Sequence, residues 1–249
     1  MNIKDQVVLV TGAGSGIGGA AAREFAKRGA KVVILVDRRD TVYNLADEIN
    51  ASAGRQVAEV KVGDATNDSA GITRDALAVR LDKTTGKAQP YPINNFREVI
   101  EVNLVAPTYW AIEMVTRIAE DRFKRGLKQW HPDEEVQGAV VFIGSVSSLG
   151  NKGQISYAVS KAGLEGATAT LTKEAMFHGV RCGIIHPGFT DTPMVRGLGE
   201  DYIEKNILPF TQLRRLIRPE EIADAICFMV TNPAVSGQLW ADAGWHPQA

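Results

Sequence analysis

Tyr157 and Lys161 stand four residues apart, so on a helix they share one face. A phenol titrates near ~10, too high for acid/base work at neutral pH. A Lys ammonium roughly 4–5 Å away would favour the phenolate by ~3–4 kcal/mol at an effective dielectric of about 20, some 2–3 pKa units. That would bring the phenol to about 7, where a side chain can carry a proton in either direction. Upstream, Ser145 follows the apolar run Ala139–Ile143 and could offer its hydroxyl to a substrate oxygen. Ser147 and Ser148 are alternatives for that task, and turn chemistry accounts for all three serines equally well.

A second chemistry-bearing stretch is Thr11-Gly12-Ala13-Gly14-Ser15-Gly16-Ile17-Gly18. It lies between an apolar run and a helical pattern. Glycines there let the backbone approach a diphosphate, and the helix that follows turns free N–H groups and its positive end toward the anion. Gly12, Ser15, Gly16, Ile17 and Gly18 are therefore candidate cofactor contacts. Asp37 ends the next apolar run. A carboxylate there can bind both ribose hydroxyls of an adenosine and would repel a 2′-phosphate, which favours NAD. Arg38 and Arg39 argue for NADP, since either could pair a phosphate, whereas the lack of a basic side chain in the glycine turn leans to NAD. A phosphotransferase turn would end Gly-Lys-Ser/Thr, and this one does not. His178 and His186 are isolated, and no His/Cys/Asp cluster predicts a metal site.

The elements that must position these groups alternate. Val7–Val10 reads as a strand buried on both faces. Helix from Ile17 to Lys27 closed by Gly29, strand Lys31–Val36, helix Thr41–Ala51 and strand Gln56–Val62 follow. The pattern resumes with a long helix Asn95–Glu120, strand Ala139–Ile143, helix Tyr157–Phe177, strand Val180–Ile185, helix Pro219–Val230 and strand Gln238–Ala241. This order predicts an α/β fold: one doubly wound parallel sheet between two helical layers, in a single domain spanning residues 1–249. The 82–94 segment, rich in Lys, Thr, Gly and Pro, reads as loop, and 124–137 as a surface excursion.

A length of 249 residues with a net charge of −1 suits a soluble enzyme and gives nucleic acid no electrostatic footprint. Neither a signal peptide nor an apolar run of ~18 residues is apparent, so no membrane partner and a cytoplasmic location are expected. Cys182 and Cys227 lack metal or redox spacing and read as buried free thiols.

Taken together, Thr11-Gly12-x-x-x-Gly16-x-Gly18, Asp64, Val102-Asn103-Leu104, Ser145, Tyr157-x-x-x-Lys161 and Pro187-Gly188-x-x-x-Thr192 resemble the short-chain dehydrogenase/reductase family, single-domain branch, over nearly the whole chain. The resemblance implies a Rossmann-type fold and hydride transfer between NAD(H) and a secondary alcohol or ketone. It makes Tyr157 the acid/base, and gives Lys161 the tasks of lowering its pKa and binding the nicotinamide ribose. Ser145 would orient the substrate oxygen, and Asn103 would hold a water linking Lys161 to solvent. Asp64 and Ala65 would contact adenine; Pro187, Gly188, Thr190 and Thr192 would hold the nicotinamide end, with 194–208 as a lid. Gly150-Asn151-x-Gly153-Gln154 and Ala70–Asp75 look like 3-oxoacyl thioester reductases, whereas Lys83-Thr84-x-Gly86-Lys87 looks like 3-hydroxyacyl-CoA and hydroxysteroid dehydrogenases. A β-hydroxyacyl or similarly bulky substrate is implied, with a homotetramer or homodimer as the assembly. A non-catalytic nicotinamide-binding scaffold is the alternative.

One departure stands out. Family members carry a helix and a central strand after the position of Asp64, and here roughly 20 residues are lacking. Either a segment is omitted between Asp68 and Ser69, or the chain carries a true deletion that leaves buried ladder groups unpaired at ~1–3 kcal/mol each.

Overall fold

The structure, a computed structural model, describes residues 1–61 and 71–245. Asp64, Ala65 and the Asp68–Ser69 junction lie outside the described residues. The chain begins with β1 (Val7–Thr11), α1 (Gly16–Lys27), β2 (Val32–Val36), α2 (Thr41–Ala53) and β3 (Ala58–Lys61). It continues with β4 (Val79–Leu81), β5 (Ala88–Pro90), α3 (Ile93–Ile100) and α4 (Ala106–Lys124). The last part is β6 (Gly138–Ile143), α5 (Ile155–Glu174), β7 (Val180–Pro187), α6 (Pro193–Arg196), α7 (Glu200–Asn206), α8 (Pro219–Thr231) and β8 (Gly237–Ala241).

Strands β1, β2 and β3 form one parallel ladder, with Val8 opposite Val33 and Val33 opposite Ala58. Strands β6, β7 and β8 form another, with Ile184 between Phe142 and Gln238. Strand β7 shows how helices come to cover both faces. Successive side chains of a strand point to opposite sides. Val180, Cys182 and Ile184 pack with Ala111 of α4 and Leu164 and Leu171 of α5. Ile185, the next residue, joins the core of Phe25 from α1, Leu45 from α2 and Ile222 and Cys227 from α8. Alanines 20–22 on α1 are buried in that second core, and their small side chains let the helix lie close.

The expected single sheet is interrupted. Among the described residues no strand pairs with the outer edge of β1 or of β6. Val7 and Leu9 of β1 are accordingly 61% and 45% exposed, although their sequence reads as a fully buried strand.

The 82–94 segment is not plain loop. Its start and middle belong to an antiparallel hairpin, Val79 opposite Pro90 and Leu81 opposite Ala88. Asp82 holds the turn by accepting the backbone N–H groups of Thr84 and Thr85 at 2.8 and 3.1 Å, and Gly86 supplies the left-handed residue at φ 68°. The helix expected over 95–120 is also broken, by a π-helical turn at Glu101–Val105 that carries Asn103. Such turns occur frequently at functional sites.

Both cysteines are free and buried. Burial pushes the Cys182 thiol up to about 12 and the Cys227 thiol up to about 11, so neither is a nucleophile at neutral pH.

Candidate active site

The glycine turn forms where β1 meets α1. Gly12 and Gly16 adopt left-handed φ of 65° and 56°. A Cβ on Gly18 would lie 2.3 Å from the Gly12 carbonyl oxygen, so only glycine allows the helix to start this close to the strand. The α1 N-cap, Ser15, is extended and makes no side-chain cap bond, which leaves the first helical N–H groups for an outside acceptor. Gly12, Ser15, Gly16, Ile17 and Gly18 thus build a cradle that fits a dinucleotide diphosphate.

Asp37 sits beneath this turn, only 3% exposed. It accepts from the Gly14 N–H at 2.8 Å and from the Arg39 N–H at 3.0 Å. Burial pushes its carboxyl up, but the Arg39 guanidinium and the two backbone donors outweigh that and hold it below the usual carboxylate range. Arg39, rather than Arg38, reaches over the pocket floor. Its Nε lies 3.1 Å from Asp37, and its Nη2 donates to the Ser15 hydroxyl at 2.7 Å. Arg38 is exposed. The sequence offered both arginines, and only the fold distinguishes them.

The loop after β7 closes the other side. Gly188 runs against Asp242, where a Cβ would lie 2.7 Å from the Asp242 carbonyl oxygen. Ala243 beside it holds a left-handed φ of 54°, a conformation that glycine adopts more readily. Buried Thr190 donates to the Gly188 carbonyl at 3.1 Å. Thr192 caps α6 and leans over the glycine turn, its Cγ2 3.1 Å from where a Gly16 Cβ would be. Of Pro187, Gly188, Thr190 and Thr192, Thr192 is the one that meets the glycine turn directly. Within 194–208, helices α6 and α7 form, and Ile203 and Ile207 pack on Leu216.

Ser145, Tyr157 and Lys161 come together between β6 and α5. The Ser145 hydroxyl accepts the Ser147 N–H at 3.1 Å, starting a short 3-10 turn over Val146–Leu149. The same hydroxyl lies near the Tyr157 phenol and favours its ionised form. The two alternative serines are placed otherwise. Ser147 donates to Gln154 at 2.9 Å, and the Ser148 hydroxyl is buried without a partner. Lys161 is 3% exposed, donates to the Ile143 carbonyl at 2.8 Å and lies 5.6 Å from the centre of the Tyr157 ring.

The electrostatics differ from the sequence expectation of a phenol near neutrality. Burial holds Tyr157 above its ordinary value; the Ser145 hydroxyl lowers it and the Asp75 charge raises it. The Lys161 ammonium stands over the Tyr157 ring. It is itself pushed down to about 8 by burial, so it keeps its charge at neutral pH and loses it just above.

Asn103 bonds the backbone beside this site. Its Oδ1 accepts the Ile72 N–H at 2.8 Å, and its Nδ2 donates to the Ile72 carbonyl at 2.9 Å and to Ser160 at 3.2 Å. These bonds pin Gly71–Ile72 beside Lys161, where a Gly71 Cβ would lie 3.8 Å from Nζ.

Sequence reading missed the latch over this site. Gln154 donates to Asp75 at 2.8 Å, Ala76 donates to the Gly153 carbonyl at 2.8 Å, and the Tyr91 hydroxyl bonds Ser156 at 2.9 Å. These contacts span 65 to 79 residues, and no local pattern announces them. Among the described residues no group of three or more His, Cys, Asp or Glu side chains could hold a metal, and no helix is long and apolar enough to cross a membrane.

A family model described as enoyl-(acyl carrier protein) reductase matches residues 12–246. The 3-oxoacyl-[acyl-carrier-protein] reductase FabG of Escherichia coli (strain K12) is 30% identical over 252 residues, covering 94% of this chain and 93% of that one. The (3R)-3-hydroxyacyl-CoA dehydrogenase of Canis lupus familiaris is 30% identical over 261 residues, covering 93% and 92%. A crystal structure from Agrobacterium tumefaciens, provisionally assigned as a 2-deoxy-d-gluconate 3-dehydrogenase with bound NADP, superposes with a TM-score of 0.75 at 27% identity, covering 97% of this chain and 96% of that one.

Proposed function

The chain belongs to the short-chain dehydrogenase/reductase family, and from that membership we propose that it interconverts a 3-hydroxyacyl and a 3-oxoacyl thioester with a nicotinamide dinucleotide. It is an NAD(P)-dependent oxidoreductase on a single-domain Rossmann-type α/β fold. The observation that carries the substrate reading is the meeting of Ser145, Tyr157 and Lys161 beside the glycine cradle, in a chain similar to FabG and to a 3-hydroxyacyl-CoA dehydrogenase. Nothing in the comparisons favours a non-catalytic scaffold.

The nicotinamide group, when bound, accepts or supplies the hydride. This chain's residues do the rest. Ser145 orients the substrate oxygen, and Tyr157 gives it a proton in reduction or takes one in oxidation. Lys161 binds the nicotinamide ribose and relays the proton inward. Asn103 holds the backbone that walls the lysine, and Pro187, Gly188, Thr190 and Thr192 seat the nicotinamide end. Asp64 and Ala65 complete the adenine side.

NAD is the proposed cofactor. Buried Asp37, kept ionised, accepts ribose hydroxyls and opposes a 2′-phosphate. Arg39 favours the other reading, because its guanidinium, which bridges Asp37 and Ser15, could pair a 2′-phosphate. Turnover of acetoacetyl-CoA with NADH and with NADPH tests both. A higher kcat/KM with NADH is expected; a preference for NADPH assigns the specificity to Arg39, and no turnover across a ketone panel refutes the dehydrogenase reading.

Exposed Tyr109, Trp110 and Ile112 on α4, with Ile155 and Val159 on α5, support a homodimer or homotetramer. The open edges of β1 and β6 support an omitted segment between Asp68 and Ser69. An intact mass of the natural protein above 26.9 kDa by about 2 kDa is the expected result; a mass equal to that of the present sequence establishes a true deletion.

A further inference from the structure

His186, at the end of β7, is fully buried at 0% exposure and has no task in the chemistry above. Its ring stacks on the Trp240 indole, centroids 4.2 Å apart and planes 14° from parallel. It also lies against the backbone of Gly144, where a Cβ would stand 2.6 Å from Nδ1. Nδ1 itself is 3.2 Å from the Ser145 carbonyl oxygen. A carbonyl only accepts, so Nδ1 carries the hydrogen.

That leaves Nε2 of the neutral ring with a bare lone pair. It faces Glu165 Oε1 at 3.9 Å, and both atoms are buried without a hydrogen-bond partner. Two acceptors with no hydrogen between them stay at such a distance. Glu165 lies one helical turn beyond Lys161 on α5. A single ring therefore touches the peptide of the serine and faces the helix that carries Tyr157 and Lys161. Burial and the Lys161 charge push the His186 pKa down, while the Ser145 carbonyl and Glu165 pull it up; the net is downward, so the ring is neutral at physiological pH.

We propose that His186 is a positioning residue for Ser145: as its Nδ1–H tautomer it holds the Ser145 carbonyl, and thereby the approach of the Ser145 hydroxyl to Tyr157. This rests on the dehydrogenase reading. Asn at 186 can place an amide N–H near the former Nδ1, whereas Phe keeps the stack on Trp240 and has no donor.

Three measurements test it. Nitrogen-15 NMR of the wild-type protein should show Nδ1 protonated and Nε2 bare at neutral pH. H186F should lose about tenfold in kcat with cofactor affinity unchanged, and H186N should recover to within about threefold of wild type. In an S145A background the Phe substitution should cost nothing more. An Nε2–H tautomer, equal losses in H186N and H186F, or the full Phe penalty persisting without the Ser145 hydroxyl overturns the proposal. Should H186F fail to fold, the tautomer and H186N decide. A wild-type protein inactive on every ketone refutes the dehydrogenase reading instead, and the tautomer still decides the contact.

Discussion

Tyr157→Phe is expected to lower kcat by about 10²–10⁴-fold, the usual contribution of a positioned proton donor. The hydroxyl is the only atom removed. The ring keeps its place against the Lys161 ammonium, so the dissociation constant of the nicotinamide dinucleotide and the Tm should stay near wild type. A matching loss of cofactor affinity would mean that the tyrosine serves binding and not proton transfer. The pH dependence follows from the phenol's environment. Burial favours its protonated form, so ketone reduction should be flat through neutrality. Alcohol oxidation needs the phenolate, and its rate should climb as pH rises through the neutral range and beyond. In Tyr157→Phe the oxidation profile should lose that climb. Stopped-flow or steady-state rates from pH 6 to about 10 check this.

Gly18→Val should abolish measurable dinucleotide binding. Its Cβ would fall 2.3 Å from the Gly12 oxygen and 2.8 Å from the Gly12 carbonyl carbon, both backbone atoms that cannot swing aside. Either α1 retreats or the turn opens. Overpacking of this kind costs about 1–3 kcal/mol of stability. The larger loss is functional, because the N–H groups at the start of α1 would no longer converge on one point. A displacement of that size costs on the order of 10²-fold or more. Fluorescence titration with NADH is the measurement, with the Tm recorded alongside. Unchanged affinity in a folded Gly18→Val protein would place the nucleotide elsewhere.

Much of this architecture could be read from the residues, for identifiable reasons. A strand covered on both faces must be apolar throughout, and Val32–Val36 and Val180–Pro187 are largely so. The glycine turn is legible because close backbone approach excludes every other side chain. The hairpin was not, since its strands are three residues each and all their side chains are exposed, so neither burial nor length leaves a periodic trace. The Asp82–Gly86 turn was the one local cue. The π-helical turn at Asn103 interrupts a helix without altering its apolar rhythm. Electrostatics were misjudged for a different cause. Spacing puts Tyr157 and Lys161 on one face, but burial of both decides which protonation states they hold, and burial is a property of the whole fold. The contacts of His186 with Ser145 and of Asp75 with Gln154 are long-range and equally silent in the linear text.

The bare outer sides of β1 and β6 carry a cost outside the reaction itself. Among the described residues no strand adds to those sides, and an edge of that kind beside the exposed Val7 and Leu9 offers a template on which other polypeptides can add. Such a surface is what holdase chaperones and quality-control proteases survey. The amount of enzyme a cell maintains would then be set by how quickly those two borders are covered after synthesis, as much as by catalytic efficiency.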